Sequence, residues 1–133
     1  MNLFIYIEIA NFLNLKNQKP IHHWIKSETP SFNTFDFNNF SEINQISHAI
    51  RLVNEAENVV ILVEFSEKLQ PGPVLRFVEA ISKQEEKKFY FILNGEHAVI
   101  EKMVKNMNNL EFYQNQSEEQ QKELLLKVYQ GNK

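Results

Sequence analysis

A chain of 133 residues with 14 basic and 17 acidic side chains, a net charge of −3 and 43% hydrophobic residues has the size and balance of one globular domain with its own core. The acidic balance, with no basic stripe on any predicted element, argues against nucleic acid as the main partner. With no cysteine, disulfides, thiolate metal sites and cysteine nucleophiles are excluded, and no run approaches the roughly 20 apolar residues of a membrane span.

Residues Leu3–Ala10 alternate, with Leu3, Ile5, Ile7 and Ile9 on one face and Phe4, Tyr6 and Glu8 on the other, which predicts a strand. Glu8 inside this run, and the lack of a basic segment before it, argue against a signal peptide, so the expected location is the cytoplasm. Lys16–Pro20 is a polar turn. Ile21–Lys26 alternates again, so a second strand paired with the first in a hairpin is the economical reading. A short helix over Pro20–Ser27, with proline in its first turn, is the alternative. On a strand, adjacent His22 and His23 point to opposite faces and do not share one metal ion. His23, on the face of Ile21 and Ile25, is expected to be partly buried. No metal site and no cofactor are predicted.

Pro30–Phe40 interleaves Phe32, Phe35, Phe37 and Phe40 with polar residues, and is read as a long connection pinned by its aromatic rings. Ser41–Glu57 is an amphipathic helix with Ile43, Ile46, Ala49, Ile50 and Val53 at helical spacing, capped by Ser41 or by Asn39 with Glu42. Asn58–Phe65 is an apolar, β-branched run too short for a membrane, which predicts a central strand buried on both faces. A loop over Ser66–Gly72 follows, then a helix with Pro73 at its start and Val74, Phe77, Val78 and Ile81 inward. Lys87–Leu93 is a strand closed by Asn94-Gly95, and His97–Asn108 a helix. Leu110–Gln114 is a short strand. Ser117 with Gln120 caps a last helix that presents Leu124, Leu125 and Val128 and stops at Gly131.

The pattern is α/β: a mixed, mostly parallel sheet of about five strands, with an N-terminal hairpin and four helices, in a single domain over residues 1–133. Asp36 is the only aspartate and lies in the aromatic stretch, away from the end of any apolar run, so the strand-end aspartate chemistry of receiver domains and related phosphatases is not expected. Gly72, Gly95 and Gly131 are too far apart for a dinucleotide fingerprint or a P-loop.

Val59–Phe65, the loop Ser66–Gly72 with the helix after it, and Phe89–Asn94 with its helix together resemble the STAS domain of anti-sigma-factor antagonists and sulfate-transporter tails. That resemblance implies a non-enzymatic, regulatory protein-binding domain. Antagonists of the family typically carry Asp-Ser-Ser-Gly or a relative at the start of the helix after the central strand, with a serine phosphorylated by the partner kinase. Here the stretch reads Gln70-Pro71-Gly72-Pro73, so the hydroxyl of the phosphoswitch is missing. A flavodoxin-like parallel sheet fits the last three strand–helix units as well.

Two sets of functional residues follow. The stiff loop Gln70, Pro71, Gly72 and Pro73, with Phe32, Phe35 and Phe37, forms the predicted partner-binding surface. The partner is another protein, and a homodimer stays open. The alternative is a ligand site or an enzyme at the carboxyl ends of the strands, built on Glu64, Glu67 and His97, with Ser66, Asn94 and Glu96 nearby. Polar residues after strands are also what turns are made of.

Overall fold

The computed structural model describes residues 1–11, 15, 20–65, 70–84 and 86–131. Its elements are β1 (Asn2–Ile9), α1 (Pro20–Glu28), β2 (Phe32–Asn38), α2 (Ile43–Glu55), β3 (Asn58–Phe65), α3 (Val74–Ser82), β4 (Lys88–Asn94), α4 (Ala98–Lys105), β5 (Leu110–Gln114) and α5 (Glu118–Gly131). The five strands form one sheet in the order β2-β1-β3-β4-β5, and every pair is parallel. This is the strand order of the flavodoxin-like doubly wound sheets.

The expected N-terminal hairpin is corrected. Residues 20–28 are helix α1, and the partner of β1 on that side is β2, drawn from the aromatic stretch. The sheet is therefore wholly parallel, and there are five helices instead of four among the described residues. The reason lies in the spacing of Ile21 and Ile25, which are buried on one side of α1 while His23 between them is exposed. Positions four apart share a face in a helix as well as in a strand, so alternation alone did not choose between them.

Each strand alternates between two apolar layers. Leu3, Ile5, Ile7, Val59, Ile61, Val63, Phe89 and Phe91 pack under α2, α3 and α4, against Ile46, Ala49, Phe77, Val78, Ile100 and Val104. Phe4, Tyr6, Val60, Leu62, Tyr90 and Ile92 pack under α1 and α5, against Ile21, Ile25, Leu124, Leu125 and Val128. β3 has parallel neighbours on both sides and is buried from Val59 to Val63, as its unbroken apolar run requires. α2 starts later than expected: Glu42 is its N-cap and forms a capping box with Gln45, while Ser41 Oγ accepts from the Asn38 N–H at 2.9 Å.

Candidate interaction site at the carboxyl edge of the sheet

Because all five strands run the same way, their carboxyl ends and the starts of all the helices meet along one edge. The chain leaves β1 toward β2 on one side and leaves β3 toward β4 on the other, so the β1–β3 junction is the point where ligands bind in open sheets of this kind. The edge has two different sides.

On the α1/α5 side, Asn38, Glu8, Glu64 and Asn94 lie at one register level across four adjacent strands. Glu8 is 1% exposed, and Glu64 is half-buried. One level below, the Tyr6 hydroxyl is hydrogen-bonded to Glu64. Burial, then this bond and the charges of Glu64, Glu8 and Asp36, push the phenol well above its ordinary pKa. Protonated at neutral pH like any tyrosine, Tyr6 serves as a donor to Glu64. His22 sets its ring edge-on to Phe4 and Tyr6 from α1. Asn94 is consumed structurally: its amide accepts from the Gln116 N–H and donates to the Gln116 carbonyl, fixing the entry to α5.

On the α2–α4 side, His97 is the N-cap of α4. Its Nδ1 accepts from the Ile100 N–H at 3.3 Å, and its ring stacks on Phe65 at 5.8 Å. The Glu101 carboxylate accepts from the His97 N–H and completes the cap. Phe65 packs against the α2–α4 layer, while Glu64, one residue earlier, turns to the opposite face. Glu64 and His97 are thus not brought together. Glu67 and Ser66 lie outside the described residues. Glu96 is exposed beside its neighbour's cap. Among the described residues, no group of three or more His, Asp or Glu is placed to hold a metal ion.

The predicted partner surface is partly assembled on this same side. Phe32, 5% exposed, lies elsewhere, at the amino end of β2 in the α1/α5 layer; Phe37 is a core residue of the α2–α4 layer, 3% exposed, and Phe35 is half-buried between Phe37 and the His48 ring. Phe40 is different, at 52% exposed, and Ile43 in the next turn is 49% exposed. The Gln70–Pro73 loop meets the chain just before them, at Asn39. Gly72 has a φ of +58°, and a Cβ there would sit 2.9 Å from the Asn39 carbonyl oxygen, so the two loops touch backbone to backbone. Pro71 is buried under this contact, and its carbonyl accepts from the Val74 N–H to start α3. Gln70 and Gly72 face solvent, and Pro73 is half-buried. Val99, 51% exposed at the start of α4, continues the row beyond α3. Among the described residues, Met1 is the one exposed large apolar side chain away from this edge.

Sequence reasoning missed Ile43 and Val99. Both sit at apolar positions in the first turns of amphipathic helices, where helical spacing alone does not tell a covered residue from an exposed one. It also missed an open groove of about 690 Å³ at the opposite edge, lined by Asn54, Glu57, Lys83, Gln84, Glu86 and Lys87. Lys87 Nζ donates there to the Asn54 and Ala56 carbonyls at 2.8 and 2.6 Å, capping the end of α2. The Asn109 amide donates to the Gln84 and Lys87 carbonyls. These groups hold helix ends to the sheet.

The chain matches no protein-family model, no curated protein and no solved structure. Among the described residues, no helix is long and apolar enough to cross a membrane.

Proposed function

We propose that this is a small cytoplasmic protein-binding module of regulatory type, which engages another protein through the corner formed by Phe40, Ile43 and the Gln70–Pro73 loop. The observation that carries this reading is the contact between the two segments expected to bind a partner. Asn39 meets Gly72 backbone to backbone, with Phe40 and Ile43 half exposed beside them. An exposed aromatic ring next to a loop stiffened by two prolines buries apolar area on binding with little ordering cost. The STAS-like pattern of the sequence supports the same class of function, without a hydroxyl for phosphorylation at Gln70–Pro73. The enzyme alternative has less support, since the Glu64 carboxylate and the His97 imidazole lie on opposite faces of the sheet.

The test is affinity purification from cells of the source, followed by titration of the purified partner. Phe40→Ser and Ile43→Asp are expected to weaken that partner by about 30-fold or more each, as central interface residues do. Glu64→Gln and His97→Asn are expected to leave it unchanged. A partner lost on the second pair and retained on the first overturns the assignment of the surface.

A further inference from the structure

β2 is an edge strand, paired with β1 on one side only. Which of its backbone groups face outward follows from its ends. The Asn39 N–H donates to the Glu8 carbonyl at 3.3 Å, so residue 39 bonds toward β1, and with it 37, 35 and 33. The even residues then face away. The ends agree: the Phe32 N–H donates outward to the Thr29 carbonyl, and the Asn38 N–H and C=O bond outward to Ser41. Between those closed ends, the N–H and C=O groups of Thr34 and Asp36 point away from the sheet and make no hydrogen bond among the described residues.

Such an open edge is normally guarded by lysine, proline or a covering segment. β5, at the other edge, is guarded: Glu111 is paired with Lys88 at 3.5 Å and Lys127 at 3.9 Å. β2, with the sequence FNTFDFN, has no proline and no basic residue, and its one charge is Asp36.

We propose that β2 pairs antiparallel with β2 of a second copy, about a two-fold axis through Phe35, joining two sheets into one. The outward groups permit this register. Thr34 of each copy faces Asp36 of the other, and each such pair exchanges both N–H···O bonds, while Phe35 faces Phe35 as the close, non-hydrogen-bonded pair. The side chains agree. Thr34 and Asp36 share the α1 face, so each carboxylate meets a hydroxyl donor and the two aspartates are never opposite one another. On the other face the two half-buried Phe35 rings meet at the axis and cover each other. A symmetric interface needs this self-complementarity. The proposal does not depend on the Phe40–Ile43 corner.

Sedimentation equilibrium across protein concentration tests it. The wild type is expected to be a concentration-dependent dimer. Thr34→Asp sets a new carboxylate opposite Asp36 twice, and is expected to weaken the dimer about tenfold or more. Thr34→Asp with Asp36→Lys restores opposite charges across the pair and is expected to restore the dimer, with circular dichroism verifying the fold of each variant. The chain has no cysteine, so oxidation gives a second readout that tolerates some loss of stability. Phe35→Cys places two thiols about 4.5 Å apart by Cα, within disulfide range, and is expected to cross-link. Asn33→Cys, about 13 Å from its counterpart in this register, is expected not to cross-link. A wild type that stays monomeric to about 1 mM overturns the proposal. So does cross-linking at 33 in preference to 35, or a double variant as weak as Thr34→Asp.

Discussion

Leu62 tests the architecture most directly. It lies in the middle of β3, 1% exposed, level with Tyr6 on β1 and Ile92 on β4, in the layer closed by α1 and α5. Leu62→Ala removes three carbons, worth about 2.4 kcal/mol at roughly 0.8 kcal/mol for each buried methylene. Strands on both sides and two helices above hold the site open, so the cavity term adds to this and the total comes to about 3–4 kcal/mol. At about 2.1 cal/mol/K per residue the 133-residue chain has an unfolding entropy near 0.28 kcal/mol/K, and the melting midpoint falls by about 10–14 °C. Urea titration of wild type and variant gives the free-energy difference, with an unchanged slope showing that the same surface unfolds. Leu110→Ala on the half-buried edge strand β5 is the comparator and is expected to cost about half as much or less. A Leu62→Ala cost below about 1 kcal/mol, or no greater than that of Leu110→Ala, refutes a doubly covered central β3.

Other outcomes follow from the same geometry. Tyr6 ionises in the unfolded chain near pH 10 and only at higher pH in the folded one. Its contribution is therefore complete below pH 10 and is lost as pH rises, with a limiting slope of about 1.4 kcal/mol per pH unit. Tyr113, pushed up to about 12 by burial and then by its bond to Glu111, adds to the same loss. Tyr6→Phe is expected to flatten the alkaline slope and to cost about 1–2 kcal/mol at neutral pH, measured by urea titration at several pH values; an unchanged slope contradicts a buried Tyr6 phenol held above its ordinary pKa. Gly95 has a φ of +128°, and a Cβ there would lie 2.8 Å from Phe65 Cβ. Gly95→Ala is expected to cost about 2–3 kcal/mol and to shift the ring resonances of His97, which stacks on Phe65; a neutral substitution would mean the turn is looser than described.

Most elements could be read from residue spacing alone. Val59–Val63 had to be buried on both faces because a continuous β-branched run has no polar side to give to water. α2 through α5 carry apolar residues at helical spacing with stops beside them, and the structure places those residues in the two layers. Reading failed where local pattern was ambiguous or locally unfavourable. Ile21 and Ile25 satisfy both periods, and the helix was chosen by packing against Phe4, Val60 and Leu125. Phe32–Asn38 breaks strict alternation and holds Asn and Asp, which strands disfavour, so nothing local marked it as a strand. It becomes one because β1 offers it a full ladder from Asn2 to Glu8. The site follows the same division. Sequence alone brought Gln70–Pro73 and the aromatic stretch to notice, since rings in a polar loop and paired prolines are visible as residues, but it chose Phe32, Phe35 and Phe37 for the surface, where the structure buries Phe32 and Phe37 and exposes Phe40. That Asn39 touches Gly72, that Glu64 and His97 part to opposite faces, and that β2 lies open at the edge depend on strand order and direction. Those are set by contacts between residues far apart in the chain, whose pairing no local period encodes.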